Sequence, residues 1–229
     1  MRHGPNIATI AALIGDPARA EVLASLLAGQ ALTATELAGR AEVTKQTMSS
    51  HLAKLVEAGL CRVEAQGRHR YYRLAGADVA ELLEALMGVA FRAGAVRLVT
   101  GPSEPALRHA RVCYDHLAGA VGVEACDAML AAGILLNEGG SLLPGAYAAE
   151  FYRSIGVDYD ARKLGRRSFC RSCLDWSERR VHLAGALGAS LFEQILSKGW
   201  AKRLPNSRTV RFEHRGKVML FAAIAAAQR

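Results

Sequence analysis

The chain has 229 residues, 51% of them hydrophobic, and a formal net charge of +8. That length and apolar content suit two modest cores and argue against disorder. No run reaches the roughly eighteen consecutive apolar residues of a membrane span, and MRHGPNIATIAALIGDPARAE lacks a signal-peptide cleavage pattern, so a soluble cytoplasmic protein is expected.

The five cysteines (Cys61, Cys113, Cys126, Cys170, Cys173) are odd in number and scattered, which predicts reduced thiols and not a secreted disulfide scaffold. Charge is uneven: +2 over residues 1–100, −4 over 101–159 and +10 over 160–229. A basic carboxyl end adds phosphate contacts or is a solvated face, so charge alone does not establish a nucleic-acid partner.

In chain order, Asp16 is a good N-cap and Pro17 suits a first helical position, predicting a helix over Pro17–Ala28 that Gly29 stops. Thr33 with Glu36 three residues on predicts a capping box and a short helix ending near Gly39 and Arg40. Thr44 then caps KQTMSSHLAKLVEAG, whose Met48, Leu52, Leu55 and Val56 form an apolar stripe. The rest of that helix carries short hydroxyls, an amide and lysines instead of the Glu and Lys pairs of an ordinary surface helix. Such groups can reach base edges and phosphates in a major groove, with no acidic residue before Glu57 to repel the backbone. Thr44, Lys45, Gln46, Thr47, Ser49, Ser50, His51 and Lys54 are the candidate DNA contacts here.

After Gly59, LCRVEAQGRHRYYRL alternates about Gln66-Gly67, which predicts a hairpin with Arg68, His69 and Arg70 at its tip. A basic hairpin alone is unremarkable. The order helix, short helix, polar-faced helix, basic hairpin predicts a winged helix-turn-helix, in which the hairpin straddles phosphates or enters the minor groove.

Through VTKQTMSSHLAKLVEAGLCRVEAQGRHRYYRL and the preceding LTATELAGRA, over roughly residues 5–90, the sequence resembles the ArsR family of winged-helix repressors. The resemblance implies a homodimeric repressor on palindromic double-stranded operator DNA, with the Thr44–Lys54 helices in successive major grooves. It also implies dimer contacts through the first helix and the helix after the wing, ADVAELLEALMGVAFRAGAV. Sensors of that family hold metal through cysteines before the recognition helix, or through Asp and His after the wing. TELAGRAEV has no Cys and ADVAELLEALMG has no His, so neither site is supported. Cys61 reads as a buried strand thiol.

Thr100–Pro105 reads as a linker, giving a DNA-binding and dimerisation domain over residues 1–99 and an effector or interaction domain over 100–229. His116–Gly133, HLAGAVGVEACDAMLAAG, aligns without gaps with His182–Gly199, HLAGALGASLFEQILSKG, and both read as helix pairs. A hairpin and a helix are expected after each copy, so the whole is mainly α with small β-hairpins (α+β): an amino-terminal winged helix-turn-helix and a carboxyl-terminal helical domain with two wing-like repeats. The wing itself has the same helix, glycine, hairpin, helix layout.

A Cys-x-Asp precedes each copy, at Cys113 and Cys173. Packed about a pseudo-twofold axis, Cys113, His116, Cys173 and His182 would converge as a Cys2His2 set suited to zinc or another transition metal. Cys170 and Cys173 also form a Cys-x-x-Cys, and nearby Arg166, Arg167, Arg171, Arg179 and Arg180 suggest a redox-sensing thiolate. A small-molecule pocket near Tyr114 and Trp176, or buried structural thiols and histidines, are the other readings. RVCYDHLAG and CLDWSERRVHLAG resemble a domain appended to some longer ArsR-type proteins, which supplies no effector.

A thiol- or metal-dependent enzyme is the contrasting class, but the chain has no P-loop, dinucleotide fingerprint, Gly-x-Ser-x-Gly or HExxH, and CYDH on one helix would spread its side chains round the axis. No enzymatic activity is therefore expected. The last alternative is an interaction module without DNA affinity, against which the basic wing and polar helix argue.

Overall fold

Two units, Met1–Leu83 and Glu84–Arg229, divide the chain within one helix. The computed structural model describes residues 4–95, 103–160, 168–205 and 207–227. It is mainly helical with small antiparallel sheets, as the patterning predicts. No helix among the described residues is long and apolar enough to cross a membrane.

The first unit opens with a helix the sequence reading omitted, α1 (Ile7–Ile14), capped by Asn6 and burying none of its residues. α2 (Pro17–Leu26) begins as expected, with Asp16 accepting from the Arg19 amide at 3.0 Å. Arg19 reaches back from α2 to donate to the Leu13 and Ala12 carbonyls at 2.6 and 2.9 Å, satisfying the open end of α1. The capping box of α3 (Ala34–Arg40) is present in both directions: Thr33 N–H donates to Glu36 at 2.7 Å and Glu36 N–H to Thr33 Oγ at 3.3 Å. α4 (Lys45–Glu57) starts at the Thr44 cap and buries Met48, Leu52 and Leu55 fully, each worth about 1.5–3 kcal/mol against exposure.

The wing follows as β2 (Cys61–Gln66) and β3 (His69–Leu74), with a short strand β1 (Leu32–Thr33) on the outer side of β3. Gln66 pairs with His69, so the two-residue turn is Gly67-Arg68, one position beyond the Gln66-Gly67 expected. Gly67 takes φ +59°, which the first position of such a turn accepts from glycine without strain. α5 (Ala77–Arg92) comes next, a single helix within which the two units meet in sequence.

The proposed linker at Thr100–Pro105 falls partly outside the described residues, which resume with α6 (Ser103–His109). The rest of the second unit, over its described residues, is one order of elements used twice. First come β4 (Arg111–Cys113), β5 (His116–Ala118), α7 (Ala120–Ala131), β6 (Leu135–Glu138), β7 (Ser141–Pro144) and α8 (Ala148–Ser154). Then come β8 (Arg171–Leu174), β9 (Val181–Ala184), α9 (Gly185–Ser197), β10 (Ala201–Arg203), β11 (Val210–Phe212) and α10 (Gly216–Ala226).

The copies interlock, with α7 packed against β9, α9 against β5, and β5 beside β9. Neither half therefore buries its helix without the other. The Tyr152 hydroxyl of the first copy donates to the Leu187 carbonyl of the second at 3.1 Å, fully buried. Close approaches recur at matching glycines: a Cβ on Gly122 would lie 2.7 Å from the Leu117 carbonyl oxygen and one on Gly188 2.5 Å from that of Leu183.

Two expectations are corrected here. HLAG is not the start of a helix pair in either copy, and CYDH is not helical. His116–Ala118 and His182–Ala184 are strands, and Cys113-Tyr114-Asp115-His116 turns a tight hairpin with Tyr114 at φ +59°. Leu and Ala favour helix locally, but Gly119 and Gly185 at φ +84° and +81° break the path between strand and helix, and pairing across the hairpin overrides propensity.

Candidate functional site: a nucleic-acid interface and a buried cysteine-histidine cluster

Met48, Leu52 and Leu55 lock one face of α4 into the core, which turns the opposite face to solvent by helical periodicity alone. Thr44, Lys45, Gln46, Thr47, Ser49, Ser50 and Lys54 are all exposed on it. Lys45 and Lys54 have no ion pair among the described residues. The Thr44 and Thr47 hydroxyls lie 2.9 Å apart and Ser49 donates to the Lys45 carbonyl at 2.9 Å, so the start of the helix is ordered before any partner arrives. Arg68, His69 and Arg70 are exposed at the wing tip, and neither arginine is ion-paired among the described residues. Farther down the hairpin, Glu64 holds Arg73 at 3.1 Å and Arg62 at 3.6 Å, leaving the tip as the uncompensated positive end.

His51 sits apart from this set. Its side chain is 15% exposed, with Nδ1 3.4 Å from Arg19 and 3.8 Å from Asp16. It ties α4 to the residues that join α1 and α2, a positioning role that spacing along α4 did not reveal.

In the second unit, the structure brings together Cys113, His116, Cys173 and His182, whose donor atoms all lie within 4.8 Å of one another. Each hairpin supplies one Cys and one His from directly opposed positions: Cys113 pairs with His116 across β4 and β5, and Cys173 with His182 across β8 and β9. Opposed residues in antiparallel strands project to the same face, which aims each pair at the other hairpin. The sulfurs are 3.9 Å apart and the two Nε2 atoms 3.1 Å apart. Gly188 lets α9 close over His116; a Cβ there would lie 3.3 Å from that of the histidine.

The electrostatics follow from burial and pairing. The Cys113 thiol is held well above its usual range because it bonds to Cys173 and is buried, whereas Cys173 is held low by accepting from Cys113 and both histidines. Burial works against a charged His116, but bonds to Asp115 and Cys173 prevail and raise it. Behind the cluster, Asp175 is fully buried and held low despite burial, first by the Arg111 guanidinium at 2.9 Å. It also accepts from the amides of Gly119 (2.7 Å), Ser177 (2.9 Å) and Glu178 (3.0 Å). Arg111 stacks on Trp176, its Cζ 4.5 Å from the ring centroid.

Cys170 does not join the cluster. Its thiol is pushed up to about 11 by burial, the opposite of the activated thiolate its arginine-rich surroundings suggested. Arg180 is engaged by Asp127 at 2.6 Å, and Arg166 and Arg167 lie outside the described residues. His109, at the end of α6, is exposed and not among the four. Cys61 is buried as expected and pushed up to about 12 by burial. Sequence reasoning missed Arg111 and Asp175 as a buried pair; the repeated Cys-x-Asp pointed to Asp175, but nothing local marked Arg111.

A helix-turn-helix domain family matches residues 14–64. The homodimeric winged helix-turn-helix DNA-binding domain of Mb0332 from Mycobacterium bovis, described as a possible ArsR-family regulator, is 30% identical, covering 37% of this chain and 77% of that one at a TM-score of 0.34. Reduced HlyU from Vibrio cholerae N16961 is 26% identical, covering 36% and 85% at a TM-score of 0.33. The HTH-type transcriptional regulator YdfF of Bacillus subtilis (strain 168), itself uncharacterised, is 42% identical over 214 residues, 93% of this chain and 95% of its own length. The chain therefore belongs to the HTH-type transcriptional regulators and carries a winged helix-turn-helix at its amino-terminal end.

Proposed function

We propose that this regulator is a cytoplasmic, homodimeric repressor that reads operator DNA with the exposed face of α4 and clamps phosphates with the wing. The observation that carries this reading is the uncompensated set Lys45, Gln46, Ser49, Ser50, Lys54, Arg68 and Arg70 on a helix and a hairpin tip. Dimerisation draws support from exposed apolar residues: Ile7 on α1 is 80% exposed, and Leu82, Leu86 and Val89 share one face of α5, the helix after the wing, at 40–53%. Promoter occlusion is the family-based mode of repression.

The second unit modulates DNA affinity, with a transition metal such as zinc at Cys113, His116, Cys173 and His182 as effector. Supporting this, Val112 N–H of β4 donates to the Arg208 carbonyl at 2.8 Å, and the Arg208 side chain grips Glu84 on α5 at 2.8 Å. The hairpin bearing two of the four candidate ligands is thereby tied to the part of α5 that belongs to the second unit.

A gel shift on the chain's own promoter region, with Lys45→Ala and Gln46→Ala and with rising salt, tests the first part. Loss of binding on both treatments is expected; binding indifferent to either overturns it. Glu84→Gln tests the second: metal should still bind but no longer change operator affinity.

A further inference from the structure

We propose that the four-residue cluster is a closed tetrahedral site for a divalent, thiophilic d10 ion of the zinc class, ligated through both sulfurs and both Nε2 atoms, which staples the two hairpins together. This rests on the reading that the second unit binds a transition metal, and it narrows that reading to one charge and one geometry.

The distances carry the geometry. With Zn–S near 2.3 Å and Zn–N near 2.0–2.1 Å, a regular tetrahedron has an S···S edge of about 3.8 Å and an N···N edge of about 3.3 Å. The chain holds its sulfurs at 3.9 Å and its Nε2 atoms at 3.1 Å. The two Nε2 atoms face each other at hydrogen-bonding distance; if both rings are Nδ1–H tautomers, two lone pairs meet there, and a cation between them takes both.

The far sides of the rings agree. His116 Nδ1 lies 3.2 Å from the Asp115 carboxylate, and His182 Nδ1, buried and without a hydrogen-bond partner among the described residues, faces Asp175 Oδ2 at 3.8 Å. The Asp115 carboxylate fixes the Nδ1–H tautomer of His116 and frees its Nε2 for a metal, and the Asp175 charge near His182 Nδ1 favours the same tautomer there. The same Cys-x-Asp and cross-strand Cys-His pair occurs in both halves, so the two ligand pairs are equivalent.

Charge selects the ion. The four ligands are between 0% and 9% exposed, in surroundings where net charge is expensive. Two thiolates with a dication are neutral, whereas a monovalent copper ion would leave one buried negative charge. Four buried protein donors leave no coordination position for a water or substrate, so the ion is held without catalytic chemistry. Since the pairs come from hairpins 60 residues apart in sequence, loading closes the interlocked halves on each other.

The test uses the full chain purified anaerobically, loaded separately with Zn2+, Co2+ and Cu+. One Zn2+ per chain is expected, with Zn2+ retained against Cu+ at equal free concentration. The Co2+ form should show intense tetrahedral ligand-field bands with thiolate charge transfer, which Cys113→Ser reduces by about half as one of two thiolates is lost. Asp115→Ala should weaken Zn2+ affinity by about 10–100-fold with these bands retained. The wild-type Co2+ spectrum decides the geometry even where a cysteine variant fails to fold. A weak six-coordinate spectrum, or preferred Cu+ loading, overturns this inference and leaves the broader metal reading standing. Failure to bind any of the three ions overturns both, and neither result touches operator binding measured by gel shift.

Discussion

Three times among the described residues a helix ends in a left-handed glycine and feeds a two-stranded hairpin: α4 through Gly59 into β2–β3, α7 through Gly133 into β6–β7, and α9 through Gly199 into β10–β11. The caps agree closely, with φ of +69°, +67° and +67°. The following amide bonds back at 2.9–3.0 Å in each, from Leu60 to Leu55, Ile134 to Met129 and Trp200 to Ile195. What differs is the cargo. The wing raises Arg68 and Arg70 into solvent, β6–β7 turns through Gly139 and Gly140, and the interior of the second unit is organised by two further hairpins that bury cysteine and histidine. One backbone device thus recurs with different side chains: the wing's tip carries the exposed Arg68 and Arg70, while the Cys–His pairs lie on hairpins outside it.

The comparison breaks most readily at the buried end. Arg111→Met, which strands the Asp175 carboxylate, should cost about 3–5 kcal/mol in urea unfolding of the second unit; a loss below about 1 kcal/mol would mean the pair does not organise the interior. The same pair sets an acid limb. Asp175 titrates lower in the folded chain than in the unfolded one, so its stabilisation is full above the ordinary carboxylate range and is lost as pH falls toward the folded value. Asp175→Asn should flatten that limb while lowering stability at neutral pH.

The shared caps provide a finer test. Gly59→Ala and Gly199→Ala meet no atom within 4 Å and should each cost about 1–2 kcal/mol from the left-handed backbone alone. Gly133→Ala should cost more, because its Cβ would lie 3.1 Å from the Tyr147 ring. Equal losses at all three positions would show that Tyr147 yields freely. Smaller again, Thr44→Ala should remove about 1 kcal/mol of stability through the lost N-cap. Least disruptive to the fold is Arg70→Ala at the exposed tip, expected within about 0.5 kcal/mol. Yet it should lower the slope of operator affinity against salt by about one unit, while Glu138→Ala beside the tip of β6–β7 leaves that slope unchanged.

Much of this was legible in the residues. Asp16, Thr33 and Thr44 announced their helices because capping is settled within three residues, and Met48, Leu52 and Leu55 announced the inner face of α4 through its period. The internal repeat and the Cys-x-Asp in each copy pointed to the four-residue cluster. α1 escaped notice because IATIAALI buries nothing in its own chain and has no polar face to set its period. Spacing along α4 places His51 on the DNA face, whereas its inward turn depends on Arg19 and Asp16 at the start of α2, and the Cys-x-x-Cys spacing of Cys170 and Cys173 is not kept in space where β8 begins.

The sequence by itself determined the caps, the faces of the amphipathic helices, the exposed basic wing and the duplication, since each is fixed by hydrogen bonds or periodicities a few residues long. Only tertiary structure decided that CYDH is a hairpin, that Arg111 and Asp175 form the buried pair behind the histidines, and that two cysteines 60 residues apart come within 3.9 Å. Those outcomes depend on the interlocking of two halves, where α7 and α9 each cover the other copy's hairpin. No local propensity encodes a contact whose partner lies in a different repeat.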